Sequence, residues 1–347
     1  MPFLFFMDTN DFQQIKDLGF SSLIEKFKNY TGEKREEIEQ GIGDDASLYK
    51  EKEGNLTAAS SELFLEGIHF DVTYTPLHHL GYKLVTAAVS DVYAMNSKPV
   101  QILVSLAIPN KYSVQMIEQL YKGIDRACTD YQIQLSGGDT TASHQVLAIS
   151  VTVLGTSPKE NIILRSGAHH EDVICVTGDL GSAIAGLRIL MREKKEWQQQ
   201  ESEQFQPELE PYEFVVQRQL VPKARNDFAD VLSKRDVRPS SLIDVTQGLI
   251  ADLKEIAKSS GLGAEIYSPA VPIALETRNV ADEMKEDVDK YAFYGGEDYE
   301  MLFTLREPEV EKLKADFEDF SVIGKMSNEY NELRINTGED RTIQFDL

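Results

Sequence analysis

The sequence predicts an α/β (α+β) protein of two domains, and three observations lead to this prediction. The chain has 347 residues, which is long for a single hydrophobic core. Short β-rich runs alternate with apolar patterns of helix length, which is typical of domains that pack helices against sheets. The pattern begins again near Arg165, so we predict an N-terminal domain over residues 1–164 and a C-terminal domain over residues 165–347.

The N-terminal half is predicted to open with an amphipathic helix and to continue as a sheet with two more helices. Apolar residues recur at helical spacing from Asp11 to about Lys28. The apolar face of that helix consists of Ile15, Leu18, Leu23, Ile24 and Phe27. The later elements are predicted as strands at 46–50, 56–60 and 63–70, a helix after Pro76, a strand at 100–108, a helix at 114–131 and a strand at 146–154.

The C-terminal half alternates strands and helices in the same way. Residues 193–213 are polar and rich in glutamate, and because ordered patterns resume on both sides we predict a surface insertion there. Gly261 is expected to end the helix predicted at 246–259. The predicted elements are a strand at 173–177, a turn at 178–181, a helix at 182–195, a strand at 240–243, a helix at 246–259 and strands at 299–304 and 321–323.

The composition favours a cytoplasmic protein that does not bind nucleic acid or an anionic membrane. Its 58 acidic and 35 basic side chains give a formal net charge of −23, whereas those partners require clustered lysine and arginine. Two cysteines, Cys128 and Cys175, indicate a reducing compartment without disulfides. No run reaches the roughly 18 apolar residues of a membrane span, and the apolar start lacks the basic flank of a signal peptide.

Six acidic segments stand at the ends of predicted strands or on helices, and they offer the oxygen ligands that hard divalent cations prefer. Adjacent glycines allow the backbone to approach a ligand closely. Each segment alone also has an ordinary explanation, such as a solvated turn, a helix cap or a salt bridge. Together they predict magnesium bound around nucleotide phosphates. The segments are 41–46, 60–62, Asp91, 136–141, 244–248 and 295–299.

Asp91 lies in a helix that is apolar nearly all round. A buried carboxylate costs several kcal/mol unless it is paired or bound to a metal, so Asp91 is a metal ligand, half of a salt bridge, or a residue on an outward-facing edge of the helix. The chain has neither the Gly-x-x-x-x-Gly-Lys-Ser/Thr loop of P-loop nucleotide sites nor the protein-kinase motif set. Divalent cations would supply the positive charge that an acidic protein lacks toward phosphate.

In order, the motifs resemble those of the thiamine-monophosphate kinase family, which shares a superfamily with aminoimidazole-ribonucleotide synthetase. The resemblance covers the chain from Gly41 to about Thr304. Taken together the motifs are specific for the family, although each of them alone is not. The runs that carry it are Gly-Ile-Gly-Asp-Asp-Ala at 41–46, Leu-Glu-Gly-Ile-His-Phe-Asp at 65–71, Val-Ser-Asp-Val-Tyr-Ala-Met at 89–95, Gly-Gly-Asp-Thr-Thr at 137–141 and Tyr-Gly-Gly-Glu-Asp-Tyr-Glu at 294–300.

The resemblance implies a synthetase-like fold that dimerises through its N-terminal sheet and carries an α/β sandwich behind it. It implies direct in-line transfer of the γ-phosphoryl group of ATP to thiamine monophosphate, giving thiamine diphosphate. His69 would position the acceptor, although a packing role is the alternative. The implied magnesium ligands are Asp44, Ser60, Ser61, Glu62, Asp91, Asp139 and Asp244, with Asp44, Asp91, Asp139 and Asp244 as the catalytic set. The implied ATP contacts are Tyr121, Gly138, Asp139, Arg165 and Thr246, and the acceptor contacts are His69, Glu297 and Phe345.

Three positions depart from the family pattern. Glu62 replaces the usual aspartate, and Gln247 replaces the second aspartate of Asp-Ile-Ser-Asp-Gly-Leu, which removes one charged ligand for a hard cation. The usual C-terminal tryptophan is absent, and Phe345 is a candidate substitute. These departures leave open a catalytically weakened homologue that binds nucleotide and acts as a regulatory or scaffold dimer.

Other ATP-using members of the superfamily are a further alternative. A selenide-activating enzyme requires a reactive cysteine near the N-terminus, and a hydrogenase-maturation protein requires one at the C-terminus. Cys128 and Cys175 lie at neither position. Aminoimidazole-ribonucleotide synthetase has no such simple exclusion, but the runs at 65–71 and 294–300 favour the kinase.

Overall fold

The structure, a computed structural model, describes residues 15–33, 35–199, 206–234, 237–338 and 342–347. It contains a six-stranded and a seven-stranded sheet, each with helices, so the predicted two-domain α/β architecture is confirmed. The first sheet ends at Pro158 and the second begins at Val173. We place the domain boundary at 164/165, between them, as a proposal. Among the described residues, no helix combines the length and apolar character needed to span a bilayer.

The N-terminal part contains four helices and six strands within the described ranges. The helices are α1 (Ile15–Leu18), α2 (Phe20–Phe27), α3 (Leu77–Ala94) and α4 (Val114–Asp130). The strands are β1 (Ile38–Gln40), β2 (Ser47–Lys50), β3 (Asn55–Leu65), β4 (Lys98–Pro109), β5 (Gln134–Ser143) and β6 (Ala148–Pro158). Their order in the sheet is β1-β2-β3-β6-β4-β5, with β4 and β5 parallel and the other pairs antiparallel.

The predicted N-terminal helix differs from the structure in its continuity. Residues 11–14 lie outside the described residues. The rest forms α1 and α2, which are separated at Gly19 because that glycine has a φ of 81°, in the left-handed region that a right-handed helix excludes. Ile15, Ile24 and Phe27 are about half exposed, so the expected apolar face is not covered by the described part of the chain.

Two predicted strands and one predicted turn also differ. The strands at 56–60 and 63–70 form a single strand, β3, because the polar residues at 60–62 continue the alternation of its two faces. The turn predicted at 136–141 is part of the edge strand β5. A Cβ on Gly138 would lie 1.7 Å from the Val104 oxygen, so this glycine is required by the close approach of two strands and not by a turn.

One face of the N-terminal sheet is covered and the other is open. Helices α3 and α4 pack against the strands, and every second residue of β6 faces that core. On the opposite face Leu63 is 57% exposed, and nearly the whole of β5 is exposed. A partly apolar open face with an unpaired edge strand is a surface on which a second chain can pack.

The C-terminal part contains the second sheet, in the order β13-β12-β9-β11-β7-β10-β8. Its strands are β7 (Val173–Thr177), β8 (Ser241–Asp244), β9 (Gly263–Tyr267), β10 (Met301–Leu305), β11 (Phe320–Ser327), β12 (Glu332–Asn336) and β13 (Thr342–Asp346). Its helices are α5 (Ser182–Gln199), α6 (Glu213–Leu220), α7 (Asn226–Lys234), α8 (Leu249–Ser260), α9 (Leu275–Met284), α10 (Val288–Tyr294) and α11 (Glu307–Lys314).

The helix predicted at 246–259 begins three residues later than expected, and Thr246 does not cap it. The backbone N–H groups of Thr246, Gln247 and Gly248 all donate to Oδ2 of Asp252, each at 3.1 Å. Asp252 lies in the first turn of α8, where a carboxylate satisfies unpaired N–H groups. This carboxylate therefore fixes the loop that follows β8.

Glu300 joins the second sheet to the helices that pack on it. Its side chain is buried and accepts from Arg218 at 2.9 Å, from Arg225 at 2.8 Å and from Thr177 at 2.6 Å. Both arginine side chains are also largely buried. Each ion therefore depends on the others for the interactions that water would otherwise provide.

Replacing Glu300 with Gln is expected to lower the free energy of unfolding by about 3–5 kcal/mol, because two buried guanidinium groups lose their shared charge. Urea denaturation measures this change. The matched control is Glu311→Gln, which removes the exposed pair with Lys314 and is expected to cost less than about 1 kcal/mol. A loss as small as that of the control would show that Arg218 and Arg225 do not depend on Glu300.

Candidate active site

A cavity of about 510 Å³ opens where the N-terminal sheet meets β8 and α8. Its walls combine the turn before β2, the middle of β3 and the inner side of α3 with the loop after β8. Most of the acidic segments singled out in the sequence meet here. The polar residues in the lining include Asp44, Asp45, Ser60, Ser61, Glu62, Asp91, Arg165, Asp244, Thr246, Gln247 and Asp252.

Three carboxylates form the centre of this cavity. Asp45, Asp91 and Asp244 each place one oxygen atom so that all three lie within 4.8 Å of one another. Asp45 follows the Gly43 turn, Asp91 lies in the last turns of α3, and Asp244 ends β8. All three side chains are buried, so elements from both halves of the chain bring negative charge to one point of the cavity.

Burial sets the electrostatics of the cluster. It raises the pKa of Asp45 to about 7, although the Arg165 guanidinium opposes this shift. It raises the pKa of Asp91 well above its usual range, and the charges of Asp244 and Glu62 add to the effect. Burial also raises the pKa of Asp244. Three carboxylates so close together resist ionisation until a cation compensates their charge.

The donor set fits a divalent cation. Carboxylate oxygens are the ligands that magnesium and calcium prefer, and Oδ2 of Asp45 is buried without a hydrogen-bond partner in the described part of the chain. The Ser60 hydroxyl donates to Asp91, and the Thr246 hydroxyl donates to Asp244 at 2.8 Å. These bonds orient two of the three carboxylates toward the shared point.

Asp45, rather than Asp44, belongs to this triad; the segment at 41–46 contains both carboxylates, and the resemblance implies Asp44 as the ligand. Asp44 lines the same cavity, but its carboxylate accepts the Arg165 backbone N–H at 3.3 Å and the Asp45 N–H at 3.1 Å. Asp45 instead pairs with the Arg165 guanidinium at 2.5 Å. The sequence signal was the pair of adjacent carboxylates, which does not reveal which of the two turns inward.

Successive side chains of a strand point to opposite faces of the sheet, so the three side chains at 60–62 do not all point to the cluster. Ser60 bonds Asp91, and the side chain of Glu62 interacts with Asp91 as well, with its pKa raised by burial. Ser61 points to the other face, where its hydroxyl lies 3.0 Å from that of Thr152. The structure therefore brings Ser60 and Glu62 to the cluster and directs the Ser61 side chain away from it.

Two predicted site residues, Gly138 and Asp139, lie far from the cluster within one chain, and Tyr121 is not part of the cavity lining. Asp139 pairs with Ser105 on β4, which pairs with Ser150 on β6, which pairs with Leu63 on β3. Three strand spacings put Asp139 about 14 Å from β3. Gly138 is its neighbour on β5, and Tyr121 packs on the N-terminal core from α4. By contrast, Arg165 and Thr246 line the cavity directly.

Two of the three residues predicted to contact the acceptor, His69 and Glu297, lie on loops. His69 accepts the Leu65 N–H at its Nδ1, at 3.0 Å. The Glu297 N–H donates to the Thr246 oxygen at 3.0 Å, and its carboxylate pairs with the buried ammonium of Lys83 at 2.8 Å. Glu297 has a φ of 57°, a backbone strain that is typical of functional loops. Glu297 is therefore bonded directly to the loop that follows Asp244.

Phe345 lies at the other end of the second sheet. It is on β13, six strand spacings from β8, which is on the order of 29 Å along the sheet. Its ring packs against the C-terminal core, and the Lys254 ammonium lies 5.4 Å from its centroid. The structure does not bring Phe345 to the cluster in the same chain.

Family models and relatives agree on one family. Residues 43–157 match the model of the AIR synthase related protein, N-terminal domain, and residues 170–335 match that of the C-terminal domain. The thiamine-monophosphate kinase of Bacillus subtilis is 33% identical over 277 residues, covering 80% of this chain and 81% of that protein. The Aquifex aeolicus enzyme of the same name is 33% identical, covering 84% and 87%.

Solved structures give the same result. AaThiL complexed with AMPPCP and TMP has a TM-score of 0.80 and 28% identity, covering 96% of this chain and 99% of that chain. The thiamine monophosphate kinase structure from Aquifex aeolicus has a TM-score of 0.75, covering 93% and 98%. The family predicted from the motif series is confirmed: the chain belongs to the thiamine-monophosphate kinase family.

Proposed function

We propose that this protein is a thiamine-phosphate kinase that transfers the γ-phosphoryl group of ATP directly to thiamine monophosphate. Relatives named for this activity cover more than four fifths of the chain, and a similar structure holds AMPPCP and TMP. The observation that carries the proposal is the buried triad of Asp45, Asp91 and Asp244 at the cavity. Kinases with few catalytic side chains depend on such metal-binding carboxylates.

The triad, together with Ser60 and Glu62, would hold magnesium ions at the junction of the two domains. Bound magnesium neutralises charge on the phosphate oxygens and orients them for transfer. Arg165 and Thr246 line the same cavity, where a guanidinium and a hydroxyl serve as contacts to polyphosphate. The Asp252 carboxylate keeps the Thr246 loop in place.

The acceptor needs positioning rather than a base. A phosphate monoester has a second pKa of about 6 and is already anionic at neutral pH, so its oxygen can attack without losing a proton to the protein. In-line geometry and charge neutralisation then account for the rate. His69 and Glu297 are the proposed positioning residues for the acceptor phosphate, and Glu297 bonds the backbone of Thr246 in the cavity wall.

The active protein is proposed to be a homodimer whose sites are shared. The open face of the N-terminal sheet and the exposed strand β5 provide the contact surface. Gly138 and Asp139 lie on β5, three strand spacings from β3 of their own chain, and Tyr121 packs against the core from α4. In the proposed dimer these residues reach the triad of the partner.

The function is tested by incubating purified protein with ATP, magnesium and thiamine monophosphate and by measuring thiamine diphosphate. We expect one ADP for each thiamine diphosphate, and no transfer to thiamine, which lacks the acceptor phosphate. ATP binding without any thiamine diphosphate would reject the kinase and favour the scaffold dimer. The two cysteines, both buried and unpaired, support the further proposal of a cytoplasmic location.

Replacing Gln247 with Asp is expected to lower the magnesium concentration for half-maximal rate about three- to ten-fold. Gln247 is exposed to the cavity, and a carboxylate there would add a charged ligand. A magnesium titration at saturating ATP measures the effect. Gln247→Asn is the matched control, because it has the shape of aspartate without the charge. Equal titrations for both variants would contradict a ligand role for this position.

A further inference from the structure

Lys83 is a buried cation in the second turn of α3. Its side chain is only 6% exposed, and its chain neighbours Tyr82 and Leu84 are buried as well. An ammonium group is unfavourable in such surroundings unless charged and polar partners replace its water. No step of the proposed phosphoryl transfer uses Lys83, so its role has to follow from its contacts.

The ammonium of Lys83 has three acceptors. Oε2 of Glu297 lies at 2.8 Å and the backbone oxygen of Gln219 at 3.1 Å. The side chain of Gln219 also accepts at 3.1 Å, in the amide orientation that lets its nitrogen donate to the Ala183 oxygen at 3.0 Å. Gln219 is in the last turn of α6, where free backbone carbonyls favour a cation. An ammonium has three hydrogens, so Lys83 has none left for a phosphate and acts through the group it holds.

Glu297 is held from two sides. Its backbone N–H donates to the Thr246 oxygen, and its carboxylate pairs with Lys83. Gly296 packs against the same loop, since a Cβ there would lie 2.6 Å from the Thr246 oxygen. The Glu297 side chain keeps 30% of its surface exposed, so its carboxylate is anchored on the buried side and open on the other. The left-handed φ of Glu297 is unfavourable for a residue with a side chain, so the anchors also maintain its backbone.

The charge of Lys83 suits this place. Thr246 bonds Asp244 of the triad, so Glu297 stands beside a site that is already acidic. The acceptor phosphate is anionic at neutral pH, and an uncompensated carboxylate next to it would repel it. With the ammonium 2.8 Å away, Glu297 carries little net charge toward the acceptor.

We propose that Lys83 is a positioning residue for the acceptor: it fixes the carboxylate of Glu297 and compensates its charge, so that the acceptor phosphate can lie beside it. The inference rests on the proposed function, because Glu297 is a proposed positioning residue of that reaction. Helix α3 also carries Asp91, so one helix places a carboxylate of the triad and supports the loop at 295–299.

Acceptor affinity in Lys83 variants tests the proposal. Lys83→Met removes the charge and keeps an unbranched side chain. We expect it to raise the Kd for thiamine monophosphate about ten-fold, measured by calorimetry with magnesium and AMPPCP present. KM for the acceptor should rise by the same factor, while kcat and KM for ATP change less than about two-fold. Lys83→Arg keeps the charge and is expected to bind the acceptor more tightly than Lys83→Met.

A double variant distinguishes positioning through Glu297 from a general effect on packing. In Glu297→Gln there is no carboxylate charge left to compensate, so adding Lys83→Met is expected to change the acceptor Kd less than about three-fold. The double variant leaves no unpaired charge, so it provides this comparison even if Lys83→Met does not fold. Lys312→Met removes an exposed lysine that pairs with Glu309 and serves as the control with unchanged affinity.

The outcomes separate this inference from the proposed function. Unchanged acceptor affinity in Lys83→Met, or the same loss in the native and Glu297→Gln backgrounds, would reject the role of Lys83 and leave a native protein that forms thiamine diphosphate as a kinase. Acceptor binding that depends on Lys83, without any thiamine diphosphate, would reject the kinase and keep the role of Lys83 in acceptor binding. A native protein that does not bind thiamine monophosphate would reject both.

Discussion

Replacing Asp91 with Asn is expected to reduce turnover at least about 1,000-fold while making the metal-free protein more stable. Asp91 contributes one of the three oxygens of the triad, and an amide is a poor ligand for a hard cation. Loss of charge compensation at a transferring phosphoryl group costs factors of this size. Steady-state formation of thiamine diphosphate at saturating magnesium measures the loss.

The metal-free Asp91→Asn protein is expected to gain stability because the substitution removes a buried negative charge. Burial and neighbouring carboxylates raise the pKa of Asp91 in the folded protein, so its ionised form favours the unfolded chain. Such a group costs stability as pH rises above its unfolded pKa of about 3.9. At pH 7.5 in EDTA we therefore expect Asp91→Asn to be about 0.5–2 kcal/mol more stable than the native protein. The difference should disappear near pH 3, where both side chains are neutral.

With magnesium bound, the native protein is expected to be more stable than Asp91→Asn, the reverse of their order in EDTA. A ligand that binds only the folded state stabilises it in proportion to its affinity, so magnesium should raise the unfolding midpoint of the native protein more than that of Asp91→Asn. Asp125→Asn removes an exposed carboxylate from α4 and is expected to leave turnover and magnesium response unchanged. Asp91→Asn with more than a tenth of native turnover would remove Asp91 from the metal site.

Local sequence patterns predict which residues belong to the site better than they predict how those residues are arranged in it. Asp91 could be singled out because an acidic residue in a helix that is apolar on all sides violates the usual distribution of charge. The choice between Asp44 and Asp45 could not be predicted, since it depends on Arg165, which lies 120 residues from Asp45 and pairs its guanidinium with Asp45 while its backbone N–H donates to Asp44. Long-range pairs of this kind leave no periodic trace in the sequence.

Glycine-rich segments show the same limit for the fold. Gly137 and Gly138 are equally compatible with a turn and with close contact between strands, and the structure uses them in β5. The deciding fact is the approach of Gly138 to the backbone of Val104, which belongs to the parallel partner strand. Parallel pairing joins distant segments through a helix, so the sequence around Gly138 does not contain this information.

Asp139 is expected to act in the site of the partner chain, and a pair of inactive variants can show it. Asp91→Asn retains Asp139, and Asp139→Asn retains Asp91. In a mixed dimer with shared sites, one site has both native residues and the other has neither. We expect each homodimer to be inactive and the purified mixed dimer, isolated through two different affinity tags, to recover about half of the native turnover.

The matched control is a mixed dimer of Asp91→Asn with Asp244→Asn. Both residues belong to the triad of one chain, so each site then lacks one of its carboxylates and no activity should return. Recovery in the first mixture but not in the second would assign Asp139 to the neighbouring triad. If the first mixed dimer stays inactive, each site must be built from one chain, and the roughly 14 Å between Asp139 and β3 would then have to be closed by a rearrangement of the edge strand β5. If the protein does not dimerise at all, the shared-site proposal fails at its first step.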